Sequence, residues 1–237
     1  MPFERKVIGT ANAMAPSHRN RTADEIISYD VYHDALGFGY RAASWLDLVK
    51  RTRNFAALHY ACIDARLAIE HLIFEQLVIT GGEALTYEAY KSCLADPRNL
   101  SKRLRKIVPD YEKLQTFTEL VVSLNPGLPR VNQWDIKGLL KSWGVLSSYL
   151  HWSGAHSETT ENQGWQNQAI QKATEIIEPL WQKMSSGHSG CMPPKRMKPH
   201  VREVWEDFRV GKIDRESARI RLEIIRPQPS LRSGGTK

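Results

Sequence analysis

Phe55 to Thr80 reads FAALHYACIDARLAIEHLIFEQLVIT, and this stretch decides the fold. It lies inside the longest run of the chain without Gly or Pro. At 100° per residue, Leu58, Ala61, Cys62, Ala65, Ala68, Ile69, Leu72, Gln76 and Ile79 share one face. Small side chains dominate that face, so another helix can approach closely. Ile63, Leu67, Phe74 and Val78 make the opposite side apolar as well. A helix apolar on two sides is expected at the centre of a bundle or at a subunit interface.

Helical segments extend outward from it. Tyr40 to Arg53 looks helical, after Gly37 and Gly39 loosen the chain. Gly81-Gly82 is a C-terminal stop. Short helices are expected over Thr86–Leu94 and over Arg98–Val108, the second closed by Pro109. Tyr111–Leu124 spaces Leu114, Phe117, Val121 and Leu124 as one helix face. Asn125-Pro126-Gly127 breaks the chain. Trp134–Trp152 and Trp165–Met184 are the remaining long helices, with the polar run Ser157–Gln163 as a loop between them. His200–Val210 and Arg215–Ile225 form a final helical pair, with Asp214 as N-cap. No segment shows strand alternation.

The expected fold class is therefore all-α. Residues 1–23 form an irregular N-terminal arm, and 24–186 a bundle of four to six main helices. Residues 187–199 are a linker, 200–226 a basic helical hairpin, and 227–237 a disordered tail.

The composition is that of a globular chain: 237 residues, 41% hydrophobic and 25% charged. Its net charge of +7 is uneven. Residues 187–237 hold 12 Lys+Arg against 6 Asp+Glu, which leaves the rest nearly neutral. A basic C-terminal part suits an anionic partner, nucleic acid or an acidic protein surface. Cys62, Cys93 and Cys191 are odd in number and far apart, as in a reducing cytoplasm. No signal peptide and no transmembrane helix is expected. His188, Cys191 and His200 lack the paired spacing of a zinc site, so no metal or other cofactor is expected.

On the wheel the polar residues of the long helix lie on two flanks. His59, Arg66 and Glu70 share one. Asp64, His71 and Glu75 share the other. Arg66 and Glu70 are four apart and can pair. Arg66 and His71 lie about 140° apart.

Arg66-Leu67-Ala68-Ile69-Glu70-His71 resembles the Arg-x4-His motif of the HEPN superfamily of helical bundles. ARLAIEHLI also resembles the early helix of bacterial HEPN-like proteins. Leu146-Ser147-Ser148-Tyr149-Leu150-His151 resembles a later pattern in some of them. The resemblance covers two helices. It implies a homodimer acting on or around RNA in bacterial defence, toxin or stress response, and a metal-independent endoribonuclease site. Arg66 would hold phosphate, and His71 or His151 would move the proton, with Glu70 beside Arg66.

A second set is independent of the motif. Arg98, Lys102, Arg103, Arg105 and Lys106 place five cations in nine residues, a phosphate-contacting pattern. The alternative to the RNase is a non-catalytic module that binds nucleic acid, or a partner protein through the C-terminal hairpin.

Overall fold

A computed structural model describes residues 17–28, 33–81, 88, 91, 97–125, 127–128, 130–150 and 163–225. Among these the chain is all-α apart from one short pair of strands. The helices are α1 (Ala23–Ser28), α2 (Ala35–Thr52), α3 (Phe55–Gly81), α4 (Pro97–Ile107), α5 (Tyr111–Ser123), α6 (Ile136–Ser148), α7 (Gln163–Ser185), α8 (Pro199–Arg209) and α9 (Arg215–Ile225). Strands β1 (Val131–Asn132) and β2 (His188–Ser189) pair in parallel.

The long helix is the centre. Leu58, Ala61, Cys62, Ala65, Ala68, Ile69, Leu72, Ile73 and Leu77 are all fully buried. Helices α2, α4, α6 and α7 pack around α3. Each large aliphatic side chain among these contributes about 1.5–3 kcal/mol through removal from water. The side expected to meet a neighbour or a second copy holds Ile63 and Val78, which are 41% and 42% exposed. Ile79, expected inside, is 37% exposed.

Helices α2 and α3 form an antiparallel hairpin. Arg53 turns the chain with φ 59°, donating its N–H to Val49 O. Asn54 then caps α3, its Oδ1 accepting the Ala56 N–H at 3.0 Å. Pairing along the hairpin is regular: Trp45 stacks on Tyr60, Arg41 grips Asp64, and Phe38 stacks on His71. Gly37 and Gly39 do not loosen the chain as expected. Helix α2 starts at Ala35, where Asp34 Oδ1 accepts the Gly37 N–H at 2.7 Å. Gly39 is instead a packing position. A Cβ there would meet Met184 Sδ at 3.1 Å, so the glycine lets α7 lie close against α2.

The expected linker is built into the fold. Gly187 lies so close to Arg130 O that a Cβ would meet it at 2.7 Å, and His188 N donates to the same carbonyl. Trp134 Nε1 donates to Ser189 Oγ at 3.0 Å, and Met192 N to Thr118 Oγ1 at 2.9 Å. The buried Gln76 Oε1 accepts from Tyr111 Oη at 2.9 Å, beside Cys191 Sγ, which joins α3, α5 and this segment. A 3-10 turn, Pro194–Arg196, leads into α8. The strands escaped the sequence reading because two residues each give no alternation to detect.

The C-terminal hairpin α8–α9 packs on α5. Trp205, 2% exposed, stacks on Phe117 with ring centres 5.3 Å apart. Of the N-terminal arm, residues 17–22 are irregular and lie against the body: Tyr40 Oη donates to Ser17 O, and Asn20 N to Asp47. Most of the expected helix at Thr86–Leu94, most of the loop at Ser157–Gln163, Cys93, His151 and the tail 227–237 lie outside the described residues.

Candidate functional site

Arg66 and Glu70 rise from one flank of α3 toward α6. The Arg66 guanidinium carbon sits 4.7 Å from the ring centre of Trp143. Trp143 Nε1 donates to Glu70 Oε1 at 2.6 Å. Arg66 Nη2 lies 3.6 Å from the same carboxylate oxygen, too long for a hydrogen bond but close enough for ion pairing. The guanidinium thus lies over the indole and beside the carboxylate that the indole N–H holds. Its buried Nε has no hydrogen-bond partner among the described residues. This arrangement fastens α6 to α3. It also places the Glu70 carboxylate beside the Arg66 charge.

His71 belongs to the other flank. Its ring lies 4.9 Å from Phe38 of α2. Burial holds its pKa below the usual histidine range, opposed by the charges of Glu70 and Asp34. One turn on, Glu75 Oε1 accepts the Ala35 N–H at 2.9 Å. Burial raises the Glu75 carboxyl above its ordinary pKa. Asp64, on the same flank, is gripped by Arg41 through Nε at 2.7 Å and Nη2 at 2.5 Å. His71 and its flank therefore face α2, whereas Arg66 and Glu70 face α6. The structure brings Arg66 and Glu70 together and leaves His71 apart from them. His151 is outside the described residues. Ser147, of the later pattern, is buried and donates to Trp143 O at 2.7 Å within its own helix.

The basic sets differ sharply in their surroundings. In the C-terminal hairpin four described arginines are paired with acids, and Arg202 donates to backbone carbonyls. Arg209 meets Glu206 at 2.7 Å, Arg215 meets Glu119 at 3.1 Å, Arg219 meets Glu216 and Glu223, and Arg221 meets Asp207 at 2.7 Å. Exposed pairs of this kind add little stability, but they cancel the hairpin's charge locally.

Helix α4 is different. Leu100, Ser101 and Leu104 turn inward, while Arg98, Lys102, Arg105 and Lys106 are exposed and Arg103 is half-buried. The segment PRNLSKRLRKI contains no acid. Lys102, Arg105 and Lys106 form no ion pair or side-chain hydrogen bond among the described residues. Arg105 and Ile136 line one cavity, so the end of α4 lies beside the start of α6. The exposed Lys137 and Lys141 of α6, which have no ion pair among the described residues either, extend the basic surface. Asp110 and Glu112 line the same cavity and mark the acidic edge of this surface.

No group of three His, Cys, Asp or Glu that could hold a metal occurs among the described residues. Cys191 is buried with its thiol pushed up to about 12 by desolvation. No helix among the described residues is long and apolar enough to cross a membrane. Sequence reasoning missed Trp143, Phe38 and Arg41, because each meets α3 only through tertiary packing.

The fold and these surfaces define an all-α bundle in which Lys102, Arg105 and Lys106 of α4 are exposed and form no ion pair among the described residues. Comparison with protein-family models, with curated proteins and with solved structures yields no match.

Proposed function

We propose that this chain is a non-catalytic nucleic-acid-binding bundle that contacts the phosphate backbone through α4 and the adjoining start of α6. The observation that carries this reading is the contrast between two basic sets. Arg209, Arg215, Arg219 and Arg221 of the hairpin are spent on acidic neighbours, and Lys102, Arg105 and Lys106 are not. Unpaired, exposed cations spaced along one helix bind a polyanion by releasing its counterions, with no need for base contacts. The HEPN-like resemblance of α3 supports RNA as the polymer and bacterial defence or stress response as the setting.

Cleavage is not part of the proposal. A phosphodiester site needs the phosphate-binding Arg and the proton-moving His at one point. Here Arg66 lies over Trp143 and beside Glu70, and His71 packs on Phe38 on the far flank. Incubation with total tRNA in EDTA tests this directly. Intact tRNA is the expected result. Cleavage that disappears in Arg66→Ala or His71→Ala protein would overturn it.

A further inference from the structure

The C-terminal segment carries a second basic feature that the α4 surface does not absorb. Where α8–α9 meets α5, the structure encloses a cavity of about 290 Å³. Most of its lining is apolar, with Val121 and Leu124 next to α5's end, Met192 and Met197 of the segment before α8, and Leu222 and Ile225 of α9, and the neutral amide of Asn125 also lines it. Its rim holds Arg196, Lys198 and His200. No acidic residue lines it among the described residues. None of the three rim side chains forms an ion pair or side-chain hydrogen bond among the described residues.

The rim is also held in place. Arg202 donates to the carbonyls of Pro194, Lys195 and Met197 at 3.1, 3.0 and 3.2 Å, so the turn carrying Arg196 and Lys198 is braced from behind. The start of α8 has no acidic residue in its first turn, and its dipole adds positive potential. Much of the region's unpaired charge is therefore gathered at the mouth of an apolar hole.

We propose that this cavity binds a small amphipathic anion, an aliphatic or aryl carboxylate, with its apolar body against Met192, Met197 and Leu222 and its carboxylate at Arg196 and Lys198. Size favours a small molecule, since the cavity sits at the lower edge of the about 300–1,000 Å³ typical of ligand pockets. The lining suits a flexible tail, because the two methionines can adjust to it. Charge selects the head group. The residues following Ile225 carry Arg226, Arg232 and Lys237 and no acid, so their charge disfavours them as the occupant.

The test uses the full chain and two amphiphiles of closely matched tail length and opposite charge, decanoate and decyltrimethylammonium, both kept below micelle-forming concentrations. Binding is read by calorimetry, and its location by the 13C-methyl resonances of Met192 and Met197. Decanoate is expected to saturate one site, shift both methyls and bind at least about tenfold more tightly than the cation. Arg196→Glu/Lys198→Glu is expected to weaken decanoate about tenfold or more. Val121→Phe, which fills the hole, abolishes it while circular dichroism shows the helical fold retained. Equal affinity for both amphiphiles, unmoved methionine methyls, or full affinity in the charge-reversed variant would overturn the proposal. So would binding to phosphatidylglycerol vesicles without binding to free decanoate, which would make the site a membrane contact.

Discussion

Trp143 and Glu70 are joined by a 2.6 Å hydrogen bond from the indole Nε1 to the carboxylate, and Arg66 lies over the same indole. That bond ties α6 to α3 across 73 residues of sequence. It makes Arg66 and Glu70 part of a joint between α3 and α6.

The joint should be measurable as stability. Trp143→Ala removes a large, partly buried ring and is expected to cost about 2–4 kcal/mol in urea unfolding. Trp143→Phe keeps one aromatic ring but removes the pyrrole half of the indole with its N–H, and is expected to cost about 1 kcal/mol for the lost hydrogen bond plus a smaller packing loss than Trp143→Ala. A cycle combining Arg66→Ala with Trp143→Ala should show coupling of about 0.5–2 kcal/mol, the range of a stacked guanidinium. Additive effects would show that the stacking is incidental.

The His71 flank predicts an acid-side loss of stability. Burial lowers the folded pKa of His71 below its ordinary value of 6.5, and that of His18 likewise. The unfolded chain therefore binds more protons than the folded one in the window below 6.5, and stability falls as pH drops through it. Glu75 has the opposite sign. Its raised pKa favours the folded state below about 4.5, and that contribution is lost as pH rises through the folded value. Urea midpoints measured from pH 7.5 to 5.5 should decline. His71→Gln should flatten the decline. An unchanged slope would place the titration elsewhere.

The two described cysteines should be silent in the native protein. Desolvation pushes Cys62 and Cys191 to about 12, so at pH 8 only about one thiol in ten thousand is ionised at each. In a Cys93→Ser background, a thiol reagent should label neither until the chain is unfolded. Rapid native labelling of either would contradict their burial.

Much of the bundle is legible in the sequence because helices announce themselves by period. The apolar face of α3 was readable from Leu58, Ala61, Ala65 and Leu72, and α9 from Arg215 to Ile225. The separation of Arg66 from His71 was readable too, since it follows from 100° per residue. Other features were not. Gly39 looks like a helix breaker until Met184 is seen against it, 145 residues later in the chain. Residues 187–199 look like a linker because Gly, Ser and Pro are plentiful, yet Thr118, Trp134 and Arg130 pin them. Trp143 gives no local sign of its partner. The pairing of Arg209 and Arg219 was legible in the alternation of hairpin arginines with Glu206, Glu216 and Glu223, whereas the lack of ion pairs among the described residues at Lys102, Arg105, Lys106 and Lys198 was not.

The salt dependence of RNA binding tests the role of α4 most directly. Fluorescence anisotropy with a labelled single-stranded RNA, repeated from 50 to 300 mM KCl, gives the number of phosphates neutralised. With three to five contacts, the slope of log affinity against log salt is expected near −2 to −3.5, at about −0.7 per contact. Lys102→Glu/Arg105→Glu/Lys106→Glu should lower the affinity at least tenfold and reduce the slope by about 2. An affinity and slope unchanged in that variant, or no RNA binding by the unaltered chain at 50 mM salt, would contradict the proposal that α4 is a phosphate-binding surface.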